Sequence, residues 1–153
     1  MIVLAGRNLA KMEAAKAELD ELGVESYCCK TDIADRAQVQ ALADYAASLG
    51  DVTQVIHTSG VSPSDTATEN IIRINAVGTV NMVEAFYPVL AEGGVMINFS
   101  SVAAYTMPQT DEWTQAFEAW DAPDFYDRMQ GKPEVMRRNF SVQVWPMQCP
   151  SVL

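Results

Sequence analysis

The sequence predicts an α/β fold built on a doubly wound parallel sheet, and three observations predict it. Strand-like and helix-like patterns alternate as β-α-β-α-β-α-β from Met1 to Tyr105. That order makes successive strands parallel, joined by right-handed crossovers. The most distinct strand, around Val95, Ile97 and Phe99, is apolar enough for a sheet covered on both faces. The helices carry apolar residues at helical spacing and close on glycines.

Taken in order, Ile2 to Ala5 is a short apolar strand ended by Gly6-Arg7. Asn8 is a good N-cap for a helix with apolar positions Leu9, Met12, Ala15, Leu19 and Leu22, closed by Gly23. Val24 to Thr31 reads as the second strand, and Asp32-Ile33-Ala34-Asp35 as a turn whose Asp35 caps the next helix. Val39, Leu42, Ala43, Ala46 and Leu49 form that helix's stripe, and Gly50 stops it. Thr53 to His57 is the third strand, followed by the polar turn Thr58-Ser59-Gly60. A long helical pattern runs from about Ala67 to Ala91, and Gly93-Gly94 introduce the fourth strand, which ends at Ser100-Ser101. After Tyr105 the pattern changes. Thr110 can cap a helix carrying Trp113, Phe117 and Trp120, Pro123 interrupts it, and Asp124 to Met129 add a turn or two. From Gln130 on, Gly131, Pro133, Pro146 and Pro150 punctuate a stretch of weak period, with a short strand readable over Phe140 to Trp145.

Composition narrows the function. The 153 residues carry a net charge of -10 from 20 acidic and 10 basic side chains, whereas nucleic acids and anionic membranes call for a basic face. No apolar run reaches transmembrane length, and Met1 to Arg7 does not read as a signal peptide. Cys28, Cys29 and Cys149 are odd in number and lack metal spacing. They read as reduced cysteines of a cytoplasmic protein.

Four marks and a serine pair stand out along these elements: Leu4-Ala5-Gly6-Arg7-Asn8, Asp32-Ile33, His57-Thr58-Ser59-Gly60, Ile74-Asn75-Ala76-Val77-Gly78-Thr79-Val80-Asn81 and Ser100-Ser101. In this order and context they resemble the short-chain dehydrogenase/reductase family, over roughly Met1 to Tyr105. The resemblance implies a Rossmann-like fold and a nicotinamide cofactor. Arg7, at a strand end that carries no acid, points to NADP in preference to NAD, because a guanidinium forks onto a phosphate that a carboxylate would repel. By the same resemblance Asp32 accepts from the adenine amino group and Ile33 backs the ring. Ser59 and Gly60 belong to the turn beside the cofactor ribose. The Asn75 carbonyl holds a water in a proton relay, and Ser101 donates to the substrate carbonyl oxygen, as in oxyanion stabilisation. Each has a plainer competitor: a surface arginine, a capping aspartate, a solvent-facing helical asparagine, a serine satisfying backbone groups. His57, the only histidine, reads as structural.

Two parts of the family pattern are not found. Its proton donor is a tyrosine with a lysine four positions on, which lowers the phenol pKa. Tyr105 and Tyr126 are followed at that spacing by Gln109 and Gln130, and no tyrosine precedes Lys132 correctly. The family's opening strand and glycine-rich turn are also lacking. In the strand order 3-2-1-4-5-6 that leaves the first and third strands of this chain without their common neighbour. The expectation is therefore an incomplete doubly wound domain over residues 1-105. A divergent helical insertion or non-homologous tail of the same domain follows over 106-153. The expected parent activity is an NADP-preferring oxidoreductase acting on a small carbonyl or secondary-alcohol substrate, with this chain an inactive fragment of it. The alternatives are an extended, epimerase-like member of the superfamily and a non-catalytic NADP-binding module. The full-length parent is expected to be a homo-oligomer, with no nucleic-acid or membrane partner.

Overall fold

Local capping sets the first half of the chain. In the computed structural model, which describes residues 1–62, 68–101 and 111–130, β1 (Ile2–Gly6) leads into α1 (Leu9–Glu21). The Asn8 side chain accepts from the Lys11 N–H at 3.1 Å. Gly23, at φ 71°, closes the helix by donating its N–H to the Asp20 carbonyl at 3.0 Å. β2 spans Ser26–Lys30 and α2 Arg36–Leu49. Asp35 caps α2 through one carboxylate oxygen, which accepts from Ala37 and Gln38 at 3.0 and 3.2 Å. Val39, Leu42 and Ala43 of the predicted stripe are buried. β3 is Val52–His57.

The long helix differs from its sequence pattern. It runs as α3 (Thr68–Ile71), a π-helical turn (Ile72–Val77), α4 (Gly78–Phe86) and a 3₁₀ turn (Tyr87–Val89). β4 then begins at Leu90 and continues to Asn98. Pro88, which lacks the N–H that an α-helix interior needs, lies in the 3₁₀ turn where the α-helix has already ended. Gly94 allows a close approach inside the sheet. A Cβ there would stand 2.8 Å from the Ala91 carbonyl oxygen and 3.3 Å from that of Thr53.

β1 and β2 are parallel, with Ile2 opposite Ser26 and Gly6 opposite Lys30. Beyond the end of β4, Phe99 donates its N–H to the His57 carbonyl at the end of β3 (3.0 Å), so β3 and β4 also run the same way. Among the described residues the sheet is therefore two parallel pairs, ordered β1-β2 and β3-β4. This is the incomplete arrangement the sequence predicts. The Ile2 N–H bonds to the Glu25 carbonyl and the Thr31 N–H to that of Gly6, each at 2.9 Å. The alternation of a parallel ladder then turns the backbone groups of Val3 and Ala5 to the other edge.

The chain divides into two compact units, Met1–Val55 with Asn81–Ile97, and Ile56–Val80 with Asn98–Leu153. The first buries Val39, Leu42, Ala43, Val52, Val55, Met82, Ala85 and Phe86, and an Arg36–Glu84 ion pair at 2.8 Å joins α2 to α4. The second is centred on Ile72, Ala76 and Phe125, with Val77, Val80, Phe117 and Trp120 packed against them. Phe117 and Phe125 come from the two short helices after the sheet, α5 (Asp111–Glu118) and α6 (Phe125–Gln130). The sequence places helix at both, on either side of Pro123. The strand read over Phe140 to Trp145, and Tyr105, lie outside the described residues.

One expectation fails. A strand as apolar as β4 predicts cover on both faces, yet Val95, Ile97 and Phe99 are 51%, 47% and 58% exposed. Residues at alternate positions share a face, and among the described residues no layer packs fully upon this one. Among the described residues, no helix is long and apolar enough to cross a membrane.

Candidate functional site

Every site residue named from the sequence follows a strand's carboxyl end, except Asn75, which lies on the helix between β3 and β4. In the first unit, the Thr31–Gly6 hydrogen bond ties together the ends of β1 and β2. Arg7 is the next residue along and is exposed. Asp32 organises the turn after β2. Its side chain accepts from the Ala34 N–H at 3.0 Å, its carbonyl from the Asp35 N–H at 3.0 Å, and its own N–H donates to Gln38 Oε1 at 2.9 Å. The turn role is thus realised, and a carboxylate has further lone-pair sites beyond the one used. Ile33 is 9% exposed, and its carbonyl accepts from Asn81 Nδ2 at 2.9 Å.

Sequence reasoning set Asn81 aside as a mere neighbour of Asn75. Asn81 is buried on α4 and anchors the Asp32-Ile33 turn from 48 residues away. The signal was present in the same form used for Asn75: asparagine is a poor helix former, so one inside an apolar stripe needs a partner.

In the second unit, Ser59 and Gly60 are exposed in the turn after β3, and Ser101 is half-buried after β4. Asn98, at the end of β4, has a buried Oδ1 with no hydrogen-bond partner among the described residues. Asn75 does not face solvent. It is buried in the π-helical turn, a distortion often found at functional sites. Its side-chain amide grips Val61 twice. Oδ1 accepts from the Val61 N–H and Nδ2 donates to the Val61 carbonyl, both at 2.9 Å. The structure thereby joins Asn75 to the segment that carries Ser59 and Gly60. The Asn75 backbone carbonyl accepts from Thr79 Oγ1 at 2.8 Å, which uses one of its two lone pairs. His57 is buried, with Nε2 3.2 Å from the same Thr79 hydroxyl. Burial pushes its imidazole pKa below the usual value.

Residues 1–113 match the family model for short chain dehydrogenases. The short-chain dehydrogenase/reductase bsc3 of Alternaria brassicicola is 28% identical over 108 residues, covering 71% of this chain and 39% of that protein. Glycine betaine reductase ATRR of Emericella nidulans is 31% identical over 112 residues, covering 67% of this chain and 9% of that protein. A solved short chain dehydrogenase/reductase from Burkholderia phymatum, in complex with NAD, matches with a TM-score of 0.62 and 26% identity, over 71% of this chain and 42% of its own. The chain spans less than half the length of each of these proteins.

Proposed function

Because the chain belongs to the short chain dehydrogenase family, we propose that it is the cofactor-binding part of an NADP-preferring oxidoreductase. The reaction moves a hydride between a nicotinamide and a carbonyl or secondary alcohol. The observation that carries the cofactor preference is Arg7. It is an exposed guanidinium immediately beyond the tied ends of β1 and β2, in the same unit as Asp32, and its sequence neighbours Gly6 and Asn8 are not acidic. Those residues fit the adenosine end of a phosphorylated dinucleotide. Arg7 forks onto the 2′-phosphate, Asp32 keeps acceptor sites for the adenine amino group, and Ile33 lends an apolar edge.

In the second unit, the Ser59-Gly60 turn serves the cofactor ribose. By the family's pattern the Asn75 carbonyl holds a relay water, and the Ser101 hydroxyl polarises the substrate carbonyl. The bound nicotinamide supplies the hydride chemistry. None of the 5 tyrosines has a lysine four positions on. The chain by itself therefore lacks the family's kind of proton donor and turns over no ketone. The same absence favours a second reading, a non-catalytic NADP-binding module. NADPH binding without turnover by the longer protein would select it. The free Cys28 and Cys29 thiols fit a reducing, cytoplasmic setting.

Calorimetric titration with adenosine 2′,5′-bisphosphate and with AMP tests the Arg7 assignment. A charge-assisted hydrogen bond corresponds to roughly 10- to 100-fold in affinity, so the bisphosphate binds tighter by that factor and Arg7→Gln levels the two. Equal affinities in the native chain would refute the preference.

A further inference from the structure

The turn that carries Ser59 and Gly60 is held at both ends by one turn of helix. Residues 57 and 61 flank it, and residues 75 and 79, one helical turn apart, bind them. Thr79 holds His57 (3.2 Å) and Asn75 holds Val61 (2.9 Å, twice). A single hydroxyl hydrogen decides how this chain of bonds runs. Thr79 Oγ1 lies 2.8 Å from the Asn75 carbonyl oxygen. Two oxygens that close need a hydrogen between them, and only the hydroxyl has one. Having one hydrogen to give, Thr79 can only accept from His57. His57 Nε2 therefore carries the proton and donates, and Nδ1 is bare.

We propose that His57 is a positioning residue. Its Nε2–H fixes the Thr79 hydroxyl on the Asn75 carbonyl, and so sets both the relay carbonyl and the ends of the Thr58-Ser59-Gly60 turn. The importance of that turn and of Asn75 for the reaction rests on the function proposed above. The hydrogen-bond direction does not. Glutamine reaches to the same depth as Nε2 and carries an N–H₂ there, so it replaces the donor. Leucine fills the space without a donor.

The test uses the full native chain without ligand. ¹⁵N resonances of His57 should show protonated Nε2 and bare Nδ1 at neutral pH. In His57→Leu, the Val61 amide, which donates to Asn75, should exchange faster by about tenfold, the equivalent of one hydrogen bond. The Phe99 amide, bonded to the backbone carbonyl of residue 57, should change much less. His57→Gln should restore Val61 protection. An Nδ1–H tautomer would overturn the proposal. So would unchanged Val61 exchange, equal loss at Val61 and Phe99, or failure of glutamine to rescue. If His57→Leu does not fold, the tautomer in the native chain still decides. NADPH affinity of the same variants is read separately, so a failed cofactor assignment leaves this result intact.

Discussion

Replacing Asn81 with leucine should loosen the turn after β2 more than its distance in sequence suggests. Asn81 is 5% exposed and Ile33 9%, so the 2.9 Å bond from Nδ2 to the Ile33 carbonyl is shielded from water. Leucine has a similar branched shape, though it is larger, and removes the donor, leaving a buried carbonyl unpaired at a cost of about 1–3 kcal/mol. Leucine is the better helix former by up to about 0.5 kcal/mol, which offsets part of that. The net loss is about 0.5–3 kcal/mol. With an m-value of ~2 kcal/mol/M, the urea midpoint falls by roughly 0.3–1.5 M with m unchanged. Amide exchange should localise the effect. The Ala34 N–H, bonded to Asp32, gains more than the Lys11 N–H, held by Asn8 on the other side of the unit's sequence. An unchanged midpoint would refute the idea that this carbonyl depends on Asn81.

Three further outcomes follow from the same structure. Ser26 is 3% exposed with a buried Oγ that has no hydrogen-bond partner among the described residues, so Ser26→Ala should stabilise the chain by about 1 kcal/mol; a lower urea midpoint would count against it. Gly94→Ala places a methyl 2.8 Å from a backbone carbonyl oxygen and should cost about 1–3 kcal/mol, visible as a depressed melting temperature and contradicted by an unchanged one. The third outcome is a pH dependence. Burial depresses the His57 pKa from 6.5, so the unfolded state binds the extra proton first. Stability is full above 6.5 and falls as pH drops from there through the folded value, by at most about 1.4 kcal/mol per pH unit. His57→Gln lacks that component, so the stability gap between native and variant should narrow below pH 6.5 in urea titrations, and a constant gap would contradict it.

What was legible in the sequence is what local chemistry encodes. Asn8 and Gly23 bound α1, Asp35 and Gly50 bound α2, and each acts within a few residues of itself. The split sheet was legible only through the family resemblance, whose strand order places the strand not found here between β1 and β3. The π-helical turn at Ile72–Val77 was not legible. Over six residues, an apolar stripe fits either helical period, and the wider turn coincides with the long-range contact from Asn75 to Val61. His57 is structural, as read, yet neither its partner nor that of Asn81 could be named from the sequence. Their partners lie 22 and 48 residues away, and a one-residue signal cannot name a distant partner. The exposed face of β4 marks the opposite limit, since apolar composition shows that a strand prefers cover and not whether a covering layer is present.

The central claim is that this family member selects a phosphorylated nicotinamide cofactor through Arg7. Fluorescence titration of the full chain with NADPH and NADH, native and Arg7→Gln, tests it most directly. Tighter binding of NADPH by roughly tenfold or more, abolished in Arg7→Gln while NADH affinity holds, is the predicted result. Equal or tighter binding of NADH by the native chain would contradict it.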